Sequence, residues 1–250
     1  MSNMKPSAEP VQWQPTIPIG QSINEDSATK KAPLGTRLEV GDRTFYYAQA
    51  SAAVTAGTIM CMGAPGINIS QTAGAAAAVG TKEVTFYAGA GAVTKDEYAE
   101  GYMWSCDGDS PGQMYRVKAN DAIVTSGTGT VVLYDEIYDA LAITDEISLA
   151  HNQYKDTYVS ATGHDAVVAG VAPCAVTGEY YYWCQTFGPA AVYMDEIITD
   201  NAYAAAGATG AANMAIEATT AGAIVQTIIG KARQTGVDTE HNLIQLTLRP

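Results

Sequence analysis

Charge is scarce in this chain. Asp, Glu, Lys and Arg make up 16% of its 250 residues, where soluble domains usually carry about a quarter. Basic residues are the scarcer sign, 13 against 26 acidic ones, for a net charge of −13. Phosphate recognition needs clustered Lys and Arg, and here they are scattered without a stripe, so nucleic-acid binding is not expected. No run of about 18 apolar residues could cross a membrane, and the N-terminus lacks the basic-then-apolar pattern of a secretory signal. The expectation is a soluble protein, intracellular when made, with no membrane partner. A surface so poor in charge also suggests that other protein covers part of it.

Chemistry-bearing residues are equally thin. The four cysteines (Cys61, Cys106, Cys174, Cys184) are widely spaced with no CxxC pair, which argues against a zinc site. Cys174 and Cys184 could face each other across a hairpin and pair, but buried free thiols are the favoured reading. The three histidines, His151, His164 and His241, stand apart, and none has a neighbour at metal-ligand spacing. No serine sits in a Gly-x-Ser-x-Gly elbow, and no local base would activate a cysteine. Asp107-Gly108-Asp109-Ser110 has the look of a calcium loop, but the full twelve-residue loop with its closing glutamate is missing, so it reads as a hairpin tip. The carboxylate pairs Asp135-Glu136, Asp145-Glu146 and Asp195-Glu196 would point to opposite faces of a strand and read as solvated edge charge rather than an acid–base couple. The Gly-x-Gly dipeptides at 89–91 and 127–129 open no helix and read as turns. Catalysis, a metal and a cofactor are all unexpected.

What the chain has in quantity is short strands and turn signals. Residues 1–33 carry prolines at 6, 10, 15, 18 and 33, which favour extended backbone. They read as an N-terminal arm anchored on neighbouring protein by Trp13, Ile17 and Ile19. From residue 34 the pattern becomes hairpin-like: 36–40, a Gly41-Asp42 turn, then 44–48. Further strands are expected at 57–61, 83–88, 122–125, 131–134, 146–149, 156–160, 166–171, 222–232 and 242–248. Tyr134, Ile137, Tyr138 and Leu141 fall at helical spacing, so 134–142 is either a short helix or a strand end and turn. The Ala/Gly/Thr-rich stretch 201–222 reads as a mobile loop or a surface ordered by a partner. The expected fold is all-β, a sandwich or barrel of many short antiparallel strands, with arm 1–33 and a β-rich domain 34–250 that has room for two subdomains divided near 130–150.

One phrase occurs twice. Glu100-Gly101-Tyr102-Met103-Trp104 leads to Gln113–Val117, and Glu179-Tyr180-Tyr181-Tyr182-Trp183 leads, through Gly188-Pro189, to Ala191–Met194. Each copy reads as an aromatic strand, a turn and a returning strand. Trp104 and Trp183 are expected to fill the core, with Tyr102, Tyr180 and Tyr182 at a rim or subunit interface. The same tyrosines could instead stack sugar rings.

The order of these segments resembles a group of head-associated structural proteins of tailed bacteriophages. The residues that carry the resemblance are Leu34-Gly35-Thr36 with Gly41–Ala48, the Ala/Gly-rich 50–57, Ile147-Ser148-Leu149 before Asn152-Gln153-Tyr154, Gly170-Val171-Ala172, and above all Gly178 through Ala190. It covers most of 34–195; the arm and the acidic tail lie outside it. The resemblance implies a capsid decoration or cement protein on the virion surface. It would be made in the host cytoplasm and would bind the major capsid protein as a homo-oligomer, with a trimer suiting a lattice position. It brings no catalytic residue. The other readings are a carbohydrate-binding β-module on the virion and, ranked lower for want of a long spine helix, the major capsid protein itself.

Overall fold

The computed structural model describes residues 20–66, 68–108, 111–159, 167–207, 210–214 and 227–249. Its strands are β1 (Arg37–Val40), β2 (Arg43–Gln49), β3 (Ile59–Cys61), β4 (Gln71–Thr72), β5 (Glu83–Tyr87), β6 (Tyr102–Asp107), β7 (Met114–Asn120), β8 (Thr128–Leu133), β9 (Glu146–Ala150), β10 (Val168–Val171), β11 (Tyr181–Tyr193), β12 (Tyr203–Ala206), β13 (Ala212–Met214), β14 (Ile228–Ala232) and β15 (His241–Thr247). The fold is all-β, and among the described residues there is no α-helix.

Two sheets divide the chain. Strands β4 to β9 form a six-stranded sheet in the order β4-β9-β6-β7-β8-β5. Its ends meet where Ala73 bridges Phe86 and the Gly74 amide donates to the Thr85 carbonyl. The result is a small, nearly closed barrel, with Val84, Phe86, Met103, Val117, Leu133 and Leu149 among its buried filling. The other nine strands form a second sheet around β11, with the path β1-β2-β11-β15-β14-β12-β13 and with β10 joining β11 to β3. The barrel is thus one uninterrupted insertion between β3 and β10. The second sheet has two cores of its own. One is built around Phe45, Tyr47, Tyr182 and Trp183, the other around Val192, Ile229, Ile244 and Leu246.

The strands grow from one recurring local device. Val54, Ala77, Val93, Ile123, Leu141 and Val176 each form an isolated bridge just before a tight turn. They pair with reciprocal backbone hydrogen bonds: Val54 with Val176, Ala77 with Leu141, Val93 with Ile123. Three residues further on, Gly57, Gly80, Asp96, Ser126 and Glu179 adopt positive φ, the left-handed conformation that a turn of this hand requires at its third residue. The Leu141 unit has no positive φ at this position but closes as the Val93 unit does: the Asp145 amide donates to the Ala142 carbonyl and the Asp145 carboxylate accepts from the Ala142 amide, as Glu97 does with Thr94. Asp145, expected as solvated edge charge, is 1% exposed for this reason.

Several expectations are corrected. The second aromatic copy is not a hairpin, because β11 runs straight through Gly188-Pro189 for 13 residues. Gly188 adopts φ +86°, and a Cβ there would collide with the Asp42 carbonyl oxygen. The β2 register shifts between Gln185 and Phe187. A bulge of this kind tolerates a proline that has no N–H to give the ladder. The Gln185 side-chain amide takes over, donating to the carbonyls of Phe187 and Pro189. Segment 134–142 is neither helix nor strand, because its amides bond across the barrel rather than along a helix: Ile137 N–H to Thr81 O and Leu141 N–H to Ala77 O. The helical spacing nevertheless sorts its side chains, with Ile137 and Leu141 buried and Tyr134 and Tyr138 exposed. Residues 122–125 hold only the Ile123 bridge. In the stretch expected to be a mobile loop, 203–206 and 212–214 are paired strands, with Ala204, Ala205 and Ala206 buried.

The described part of the expected arm is folded into the second sheet. The Gln21 side chain donates to the Tyr181 carbonyl and accepts from the Tyr47 hydroxyl, while its own carbonyl accepts from the Trp183 indole. Ser27 bridges Tyr181, and Ile23 and Ala32 are buried. The body therefore includes residues 20–33.

None of the four cysteines forms a disulfide. Cys184 is fully enclosed, and burial, only partly offset by the Tyr182 hydroxyl, pushes its thiol up to about 12. An unfolded thiol ionises near ~8.5, so this group's contribution to stability is whole below that value and is lost as pH rises toward the folded one. Urea unfolding is expected to show Cys184→Ala losing less stability than the parent between about pH 8 and 10. Equal losses would contradict the enclosed thiol.

Candidate functional site

The barrel and the second sheet meet along a seam of specific bonds. The Glu100 carboxylate accepts from the Leu34 amide at 2.8 Å and pairs with Lys30 at 2.6 Å. The Asn152 side-chain amide donates to the carbonyls of Leu34 and Glu100. Lys155 donates to the Glu97 carbonyl at 2.8 Å, and His151 Nε2 lies 3.3 Å from Glu97 Oε1. Burial alone would raise the Glu97 carboxyl, but the Thr94 amide and the His151 ring together hold it below its ordinary value. The Tyr98 ring packs on His151 with centroids 4.7 Å apart. Burial raises the Tyr98 phenol, whose oxygen accepts from Asn68. These bonds tie the two sheets together.

Beside the seam lies an open groove of about 510 Å³. Met62, Pro65 and Val167 line it from the second sheet, and Tyr102 and Met114 from the barrel. Strand alternation explains the barrel wall. In the β6–β7 hairpin Tyr102 faces Arg116 and Trp104 faces Met114, so Met103 and Tyr115 fill the barrel while Tyr102, Trp104 and Met114 point outward. The other wall is pinned by the Met62 amide bonding to the Val167 carbonyl and the His151 amide to the Pro65 carbonyl. Met114 and Val167 remain 60% and 62% exposed. Large apolar side chains gathered at one opening mark a contact surface more often than chance exposure does. Polar capacity is modest: the hydroxyl of Tyr102 and the side-chain amide of Gln153 have no partner among the described residues.

Among the described residues, the groove lining includes no Ser, Thr or Cys. Among the described residues, no group of three or more His, Cys, Asp or Glu could hold a metal ion. What the arrangement can do is take apolar side chains against methionine, proline and tyrosine, and offer a few hydrogen bonds to a peptide backbone. Comparison of the chain with protein-family models, with curated proteins and with solved structures found no match. The geometry therefore carries the functional reading, with the sequence resemblance beside it.

The residues singled out from sequence fare unequally. Tyr102 lines the groove. Tyr180 is half-buried and packs against the core around Trp183. Tyr182 is 0% exposed, with its hydroxyl 3.0 Å from Thr157 Oγ1, so it is a core residue and belongs to no interface or sugar-stacking face. The reason is that β11 is central and is buried on both faces over 182–186. Trp183 is in the core as expected, but Trp104 is half-buried on the outside of the barrel. Trp13, Ile17 and Ile19 lie outside the described residues, as do His164, Asp109 and Ser110. His241 is exposed and bonds to the Ala56 carbonyl. Sequence reasoning missed Met62 and Val167, which carry no pattern of their own and become neighbours only through the fold, and passed over Met114 in the returning strand of the first aromatic phrase.

Proposed function

We propose that this chain is a non-catalytic structural protein of a phage head that binds the outside of the capsid and stabilises it, with the junction groove as a protein-contact site. The observation that carries this reading is the groove itself: an apolar opening flanked by aromatic side chains on a protein with little surface charge. The resemblance over most of 34–195 supports the same reading, and the groove-lining Tyr102 belongs to the aromatic phrase that sequence alone marks. Stabilisation would work by mass action, because a protein that binds only the assembled lattice shifts the equilibrium toward that lattice. The net charge of −13 keeps free copies soluble before they assemble.

The test is co-sedimentation of the purified chain with capsids of the encoding phage from which it has been stripped. Saturable binding is expected, together with a higher temperature of shell opening. Sedimentation no greater than that of an unrelated acidic protein would end the reading.

A further inference from the structure

We infer that the junction groove receives the proline-rich N-terminal segment, residues 10–19, of a second copy of this chain. The inference rests on the reading of the groove as a protein-contact site and names its occupant. Two features of the segment match the groove. Its sequence Pro10-Val11-Gln12-Trp13-Gln14-Pro15-Thr16-Ile17-Pro18-Ile19 favours the extended polyproline conformation, which loses little entropy on docking and is recognised by aromatic-lined grooves. It also carries three large apolar anchors, Trp13, Ile17 and Ile19, opposite a lining of Met62, Pro65, Tyr102 and Met114. Two groove donors that have no partner among the described residues, the Tyr102 hydroxyl and the Gln153 amide, suit the backbone carbonyls that a polyproline chain leaves unbonded.

Length and point of departure fit as well. At about 3.1 Å per residue, the 19 residues preceding Gly20 span roughly 59 Å, ample to reach a neighbouring molecule. Gln21 is fixed to Tyr47, Tyr181 and Trp183, and Asp26 accepts from the Thr177 amide. Only at Lys30 and Leu34 does the chain first touch the barrel. The segment therefore leaves beside Tyr47, Tyr181 and Trp183 on the second sheet, and an exchange of arms between copies lets each groove be filled by a neighbour.

The experiment is a complementation measured by light scattering on size-separated samples. Full-length chain is expected to self-associate as concentration rises. Removing residues 1–19, or replacing exposed Met114 by Glu, should each weaken self-association by about tenfold or more. Mixing the two defective proteins should restore a one-to-one complex, because one supplies the groove and the other the arm. Thermal melts of both variants should match the parent, since Met114 is 60% exposed. A synthetic peptide of residues 1–19 should bind the truncated chain and not its Met114→Glu form. A full chain that stays monomeric, or two variants that fail to complement, would overturn the inference. Capsid co-sedimentation is scored separately: a monomeric chain that still binds capsids removes the arm exchange and leaves the proposed function standing.

Discussion

Trp183→Ala is expected to cost about 3–5 kcal/mol of folding stability, the usual range for truncating a fully buried aromatic. Trp183 is 0% exposed, meets Tyr47 edge-on with ring centroids 4.9 Å apart, and donates to the Gln21 carbonyl. The substitution opens a cavity at the centre of β11 and strands a buried carbonyl at the same time. For a chain of this size the loss corresponds to a fall in melting temperature of roughly 10 °C. Trp104→Ala, the matching change in the other aromatic phrase, should stay within about 1 kcal/mol, because that side chain is half-buried outside the barrel. Equal losses for the two tryptophans would show that the phrases occupy equivalent environments, contrary to the structure.

Deleting residues 1–33 is expected to abolish cooperative folding, whereas deleting 1–19 leaves it intact. The longer deletion removes Gln21 and so leaves the Tyr47 hydroxyl and the Trp183 indole without that partner. Each orphaned buried group costs about 1–3 kcal/mol. It also removes buried Ile23, worth about 1.5–3 kcal/mol. The sum approaches the roughly 5–15 kcal/mol that holds a typical domain together. Near-ultraviolet circular dichroism and urea titration of the two truncations decide the matter. A 1–33 deletion as stable as the 1–19 deletion would mean that residues 20–33 are not part of the body. Any capsid assay of an armless protein must therefore use the shorter cut.

How far the sequence could be read follows from which physical signals are local. Hairpin β1–β2 and strand β15 were legible because their determinants are local: a Gly-Asp turn and a clean alternation of Ile244 and Leu246 against Leu243 and Gln245. The hairpin reading of 179–194 failed because Gly188-Pro189 also serves as a bulge inside a long strand, and only the neighbours Asp42 and Gln185 decide between the two. The true repeat, the six bridge-and-turn units, is nearly invisible in the sequence. Its left-handed position, present in five of the six, is filled by Gly, Asp, Ser or Glu, and its bridge position by any small or branched apolar residue. Residues 204–206 lack large side chains, yet alanine suffices where strands pack closely. Of the groove, Tyr102 was legible through its aromatic company. Met62, Pro65 and Val167 were not, because they reach it from segments about a hundred residues apart.

Hydrogen–deuterium exchange of the chain, free and assembled on capsids, tests the central claim most directly. If the junction groove is the contact site, assembly should slow exchange in the segments that carry Met62–Pro65, Tyr102–Trp104 and Met114, and leave the amides of β12 and β14 unchanged. Stable attachment to capsids with unaltered exchange in those three segments would contradict the account.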